Sequence, residues 1–172
     1  GSIDFLIHAI AFSDKNELTG RFTATSRANF TNTMAISCFS FIDVAARAAA
    51  LMPDGGSLIT MSYLGSQQAV EHYGMMGPVK AALESLVRYM ALELGPRKIR
   101  VYAVSPGPVP TRAASGLEDF DELMQAAAAR APLGRLVTLD EIGALTAFLA
   151  SPAASGMTGQ TLYVDAGDHA TR

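Results

Sequence analysis

One cysteine, Cys38, no tryptophan and three histidines leave this 172-residue chain short of the groups that make disulfides and metal centres. A lone thiol cannot close an internal bridge, and it has no partner at metal-ligand spacing, so a reducing compartment is expected and Cys38 reads as a small buried apolar residue. Positive charge is scarce as well. Thirteen Lys and Arg against sixteen Asp and Glu give a net charge of −3, without the basic clustering that nucleic acid or an anionic membrane requires. No run approaches the ~20 consecutive apolar residues of a bilayer span, and the start has no charged and apolar signal sequence, so a cytoplasmic location is expected.

What is present is apolar. Hydrophobic residues make up 49% of the chain and charged ones 17%, enough for one globular core. Ile3 to Phe12 is β-branched and aromatic without strict alternation, as expected of a strand buried on both faces of a parallel sheet. Ser13 to Asn29 reads as a loop, and Phe30 to Leu51 as an Ala-rich helix stopped by Pro53-Asp54-Gly55-Gly56. A strand over Ser57 to Ser62 follows. Val79, Leu83, Leu86, Val87, Met90 and Leu94 recur at helical spacing before Gly95-Pro96 and a strand over Ile99 to Ser105. Leu117 to Arg130 reads as a helix. Thr138-Leu139-Asp140-Glu141 is a capping box that starts another, ending near Ala150, and Gln160 to Val164 is a last strand. Alternating strands and helices imply an α/β fold, a doubly wound parallel sheet with right-handed crossovers, in a single domain.

Open sheets of this kind place ligands beyond the carboxyl ends of their strands. Tyr63 sits at such an end, and Tyr73 and Lys80 lie at the start of the next helix. If that helix covers Tyr73, seven residues bring Lys80 to within about 20° of the same face. An ammonium there favours the phenolate, so the tyrosine could polarise a carbonyl and relay a proton. The plainer reading makes Lys80 and Glu84 a surface ion pair one turn apart, and the tyrosines half-buried aromatics. Spacing alone leaves both open. Pro78 adds a constraint, because proline is tolerated only in a first helical turn. A helix starting near Gly77 would put Tyr73 in the entering loop.

Longer motifs carry a resemblance. His8-Ala9-Ile10-Ala11-Phe12-Ser13, Ser62-Tyr63-Leu64-Gly65 and His72-Tyr73-Gly74-Met75-Met76-Gly77-Pro78-Val79-Lys80-Ala81 resemble the active-site segments of the enoyl-acyl-carrier-protein reductases, a divergent branch of the short-chain dehydrogenase/reductase superfamily. Ser105-Pro106-Gly107-Pro108-Val109-Pro110-Thr111-Arg112-Ala113 is similar to the family loop that closes over the cofactor. Thr158-Gly159-Gln160 with Val164-Asp165-Ala166-Gly167 is similar to the superfamily's last strand. Ordinary superfamily members have Tyr-x3-Lys, whereas this chain has Tyr-x6-Lys with Met76 at the nearer position, which points to enoyl rather than ketone reduction.

The resemblance implies a Rossmann-like fold of which this chain supplies strands 4 to 7 and their helices. The Gly-rich dinucleotide-binding segment would lie in front. It implies NAD as cofactor, NADH in preference to NADPH, although the residues choosing between them belong to that segment. Hydride would pass to the β-carbon of a trans-2-enoyl thioester of acyl carrier protein, leaving enolate charge on the thioester oxygen. Tyr63, Tyr73 and Lys80 would be catalytic, with the tyrosine nearer the proton left open. Ile10, Lys80, Val109, Pro110, Thr111, Arg112 and Ala113 would bind cofactor, and Ser13, Tyr63 and Met76 would bind substrate. His8, His72 and His169 read as structural, and no metal is implied. Helices 30–51 and 79–94 would pair across a homotetramer. Strand 4 would lack a neighbour, so a fragment with little cofactor affinity of its own is expected, and its edge would promote pairing with another chain. Pro110, Arg112 and Ala35 depart from the family pattern, which leaves loop closure and acyl preference open. Two further readings are a 3-oxoacyl carbonyl reductase, and an inert domain that only assembles with full-length subunits.

Overall fold

The structure, a computed structural model, describes residues 1–109 and 120–171. Its frame is a four-stranded, wholly parallel sheet in the order β1-β2-β3-β4, made of Phe5–His8, Gly56–Met61, Ile99–Pro106 and Gln160–Val164. Parallel neighbours need crossovers, and helices supply them: α1 (Lys15–Leu18), α2 (Arg27–Met34), α3 (Ser40–Ala50), α4 (Met76–Leu94), α5 (Phe120–Arg130) and α6 (Leu139–Ala150).

Side-chain alternation divides the core between two faces. Leu58, Val101 and Ala103 pack with Phe41, Ala45, Val79, Leu83 and Val87 of α3 and α4 on one face. Ile59, Tyr102 and Val104 pack with Leu149 of α6 on the other. Burying each large side chain stabilises the fold by ~1.5–3 kcal/mol. The helix starting at Thr138 is capped as the sequence predicts: the Thr138 hydroxyl accepts from the Glu141 amide, and the Glu141 carboxylate accepts from the Thr138 amide at 2.9 Å.

Three expectations change. The first strand is only four residues long and is not buried on both faces. Phe5 is 50% and Ile7 44% exposed, because β1 lies at the sheet edge, beyond the cover of α6. The segment 13–29 is not plain loop: it contains α1, held by the Asp14 side chain, and α2 begins at Arg27, capped by Ser26. The Ala-rich helix runs unbroken from Arg27 to Ala50, but with a π turn at Ala35–Phe39. By length and composition that helix could cross a membrane. Here Phe41, Ala45, Ala48 and Ala49 hold its apolar side in the core.

Candidate active site

The carboxyl end of β2 gathers the site. Its last residue, Met61, is followed by Ser62 and by Tyr63 in extended backbone, before a 3-10 turn over Leu64–Ser66. Across from it, His72 and Gly74 take left-handed backbone (φ 57° and 45°), which turns the chain into α4. That helix begins at Met76, with Pro78 tolerated in its first turn. Tyr73 therefore lies in the entering loop, and the same-face geometry with Lys80 does not apply.

The structure nevertheless brings the tyrosines together. The rings of Tyr63 and Tyr73 meet edge to face, with centroids 4.9 Å apart at 62°, a favoured aromatic geometry. Gly65 makes room for the pair, since a Cβ there would stand 2.7 Å from Tyr73 Cδ1. Burial, and then the neighbouring Tyr63, push the Tyr73 hydroxyl above the ordinary phenol range. That direction favours the protonated phenol over the phenolate at neutral pH.

Lys80 is only 6% exposed, and its Nζ donates to the Met61 carbonyl at 2.7 Å. It is therefore not a surface ion-pair partner, and among the described ion pairs none joins it to Glu84. Burial lowers its pKa to about 8, while Glu84 and Cys38 act in the opposite direction. Its charge reaches His8, whose pKa is lowered first by burial and then by Lys80.

His8 is structural, as read from the sequence. Its Nδ1 meets Thr60 Oγ1 at 2.9 Å and its Nε2 meets Ser40 Oγ at 2.8 Å. Ser40 in turn donates to the Ile36 carbonyl at 2.6 Å and Thr60 to the His8 carbonyl at 3.3 Å. His169 stacks on Tyr163 and bonds Asp165. Cys38 is buried.

The loop after β1 is fixed from the π turn. Ser37 Oγ accepts from the Phe12 amide at 2.8 Å and donates to the Phe12 carbonyl at 2.9 Å. The Ser13 hydroxyl is turned inward to Asn29 and Thr33, which leaves backbone groups as what Ser13 can offer a ligand. Ile10 is 49% exposed. Met76 is buried at the head of α4. Val109 packs against Ala131, Val137 and Ala166. Pro110, Thr111, Arg112 and Ala113 lie outside the described residues.

A cleft of about 780 Å³, lined by Leu18, Phe22, Gly65, Gln67, Tyr73 and Pro78 among others, opens beside the tyrosine pair. Tyr73 lines it and Lys80 does not. Tyr73, which lines the cleft, and Lys80, with one donor engaged by Met61, offer hydrogen-bond donors that a ligand's polyol could use. Two residues escaped the sequence reading. Glu84 is buried and accepts from Ser62 Oγ at 2.5 Å, and Ser37 holds Phe12. The signal for Glu84 was its place one turn after Lys80, which read as surface.

Known proteins share this sequence and this fold. A family model described as enoyl-(acyl carrier protein) reductase matches residues 1–169. The chain is 52% identical over 169 residues to the enoyl-(acyl-carrier-protein) reductase (NADH) 1 of Rhizobium meliloti, covering 98% of this chain and 62% of that protein. Against the enoyl-(acyl-carrier-protein) reductase (NADH) FabI of Nostoc sp. it is 50% identical over 167 residues, covering 97% and 65%. The crystal structure of the Anaplasma phagocytophilum reductase in complex with NAD superposes with a TM-score of 0.95 at 49% identity, over 99% of this chain and 65% of that one. The chain thus spans a little under two thirds of the relatives it matches. On the strength of this match and of the shared sheet, the chain belongs to the enoyl-(acyl carrier protein) reductase family.

Proposed function

We propose that these residues form the carboxyl-terminal, catalytic part of a dinucleotide-binding domain, and that the complete protein reduces trans-2-enoyl thioesters of acyl carrier protein with NADH in fatty-acid synthesis. The observation that carries this reading is the Tyr63–Tyr73 ring pair just beyond β2, the strand whose last carbonyl holds the buried Lys80 amine.

Reduced nicotinamide, when bound, supplies hydride. The chain's own residues do the rest. Tyr73, holding its proton, donates a hydrogen bond to the thioester oxygen where negative charge gathers, and stabilising charge that develops in the transition state is what accelerates the step. Tyr63 braces that ring and walls the acyl side with Met76. Lys80 offers donors to the cofactor ribose and positive potential beside it. Ile10 and Val109, with Pro110, Thr111, Arg112 and Ala113 by the family resemblance, would bind the cofactor, and Ser13 would present backbone groups to substrate. The exposed apolar residues Phe39, Ile42, Tyr89 and Leu92 on α3, α4 and the π turn support assembly with further copies, in our reading a homotetramer, and the complete protein is assigned to the cytoplasm.

The test follows reduced-nicotinamide oxidation by the complete protein with crotonyl and acetoacetyl thioesters. Turnover of the crotonyl compound with little of the acetoacetyl one is expected. Tyr73→Phe should slow it about tenfold, the rate equivalent of one hydrogen bond. Preference for the acetoacetyl thioester would make the protein a carbonyl reductase, and no oxidation with either would make it a non-catalytic assembly partner.

A further inference from the structure

We propose that Glu84 is a positioning residue for this reaction: by holding the Ser62 hydroxyl, its carboxylate clamps α4 to the end of β2 and so fixes where Lys80 and Tyr63 point. The inference rests on the reductase reading above, and Glu84 acts through its neighbours.

Two rungs join the same helix face to consecutive strand residues. Lys80 Nζ donates to the Met61 carbonyl at 2.7 Å, and one turn later Glu84 Oε1 accepts from Ser62 Oγ at 2.5 Å. The next residue along the strand is Tyr63. A shift of α4 along β2 would break both rungs and move the amine and the phenol together. The 2.5 Å separation belongs to hydroxyl bonds to carboxylates. A carboxylate that is only 6% exposed is costly unless it is bonded, and this one stands where hydroxyls converge. Register pairs Met61 with Val104 and Ser105 with Tyr163, so Ser62, Ser105 and Tyr163 form a row on the face toward α4. Ser105 Oγ is buried without a direct partner among the described residues, and the Tyr163 hydroxyl feels the Glu84 charge.

The groups facing Lys80 are Glu84 from its own helix, Cys38 from the π turn and His8 from β1. Burial lowers His8 and raises the Cys38 thiol, and Glu84 is the first of the influences that raise the Lys80 amine against the larger lowering by burial.

The test compares Glu84→Gln, which keeps an acceptor for Ser62 but removes the charge, with Ser62→Ala, which removes the rung but keeps the charge. Both are made in the complete protein. Lys80 is titrated directly, by the pH dependence of its acetylation followed by mass spectrometry, alongside pH profiles of kcat and KM. Glu84→Gln should lower the Lys80 titration, and the alkaline limb of kcat with it, by about one pH unit. Ser62→Ala should lower kcat about fivefold with the cofactor KM little changed. A kcat within twofold of the parent in Ser62→Ala would overturn the clamp, and a Lys80 titration that stays put in Glu84→Gln would overturn any role of the Glu84 charge beside it. Should Glu84→Gln fail to fold, Ser62→Ala alone decides. If the parent protein reduces no enoyl thioester, the reductase reading fails, and the acetylation titration still decides whether Glu84 governs Lys80.

Discussion

Lys80 shows at the residue scale what the site costs the fold. Its amine titrates near pH 8 in the folded chain, against 10.5 unperturbed, chiefly through burial. Between those values the unfolded chain holds a proton that the folded one has released, so this group makes stability rise with pH across the window from about 8 to 10.5. Below it, both states are protonated and the buried charge is borne in full. We predict that Lys80→Met abolishes reduction yet stabilises the protein at pH 7, by on the order of 2–3 kcal/mol, and that this advantage shrinks as pH rises from 8 to 10.5. Denaturant unfolding of both proteins measures it. Taking the difference between them cancels the alkaline loss from Tyr73 and Cys38, whose raised values act in the opposite sense. An advantage that stays constant with pH would show that burial of the charge is not what the lysine costs. That Tyr63, Tyr73 and Lys80 lie around the end of one strand and the start of the next helix was legible in the sequence, because motif order carries it. Their protonation was not: a phenol's state depends on how deeply three-dimensional packing buries it, and spacing is silent on that.

At the scale of elements, the turn 64–66 shapes the site through an absence. A Cβ on Gly65 would lie 2.7 and 2.8 Å from two atoms of the Tyr73 ring, too close for either to remain. Gly65→Ala should therefore displace Tyr73 and lower kcat about tenfold or more, since the hydrogen bond from Tyr73 is lost. Gly95→Ala serves as the control, because it meets nothing within 4 Å at a helical φ of −54°, and should be neutral or slightly stabilising. Stopped-flow kinetics with thermal melts on both would decide, and equal kcat values would sink the idea. The elements read most accurately from sequence were those with local signals. The Thr138–Glu141 box and the strand Gln160–Val164 fall where they were expected. The start of α4 was ambiguous because the Tyr73–Lys80 spacing suggested an earlier start and Pro78 a later one, and the left-handed His72 and Gly74 decide for the later. The π turn was invisible, since lengthening a few hydrogen bonds by one residue leaves no mark on composition.

For the whole molecule, the decisive feature is the open side of β1. Among the described strands it pairs only with β2, and Phe5, Ile7, Ile10 and Phe12 are all exposed beside it. Sequence could identify this run as apolar, but not which of its faces would be covered, because that depends on a neighbouring strand rather than on the run itself. Relatives have more than a third of their length outside the matched region, so a separately made 172-residue polypeptide presents both a strand edge and an uncovered apolar face. Such edges template pairing with other chains, and exposed lysines on them suppress it. We predict that this polypeptide self-associates in a concentration-dependent way and binds reduced nicotinamide at least about 100-fold more weakly than the complete protein, a loss of some 2.7 kcal/mol. Phe5→Lys with Ile7→Lys should restore a monodisperse species without restoring affinity, because blunting the edge adds no cofactor contacts. Light scattering and calorimetric titration separate the two effects. Tight binding by the unsubstituted polypeptide would mean that the end of β2, Lys80 and the loop after β1 suffice to hold the cofactor by themselves.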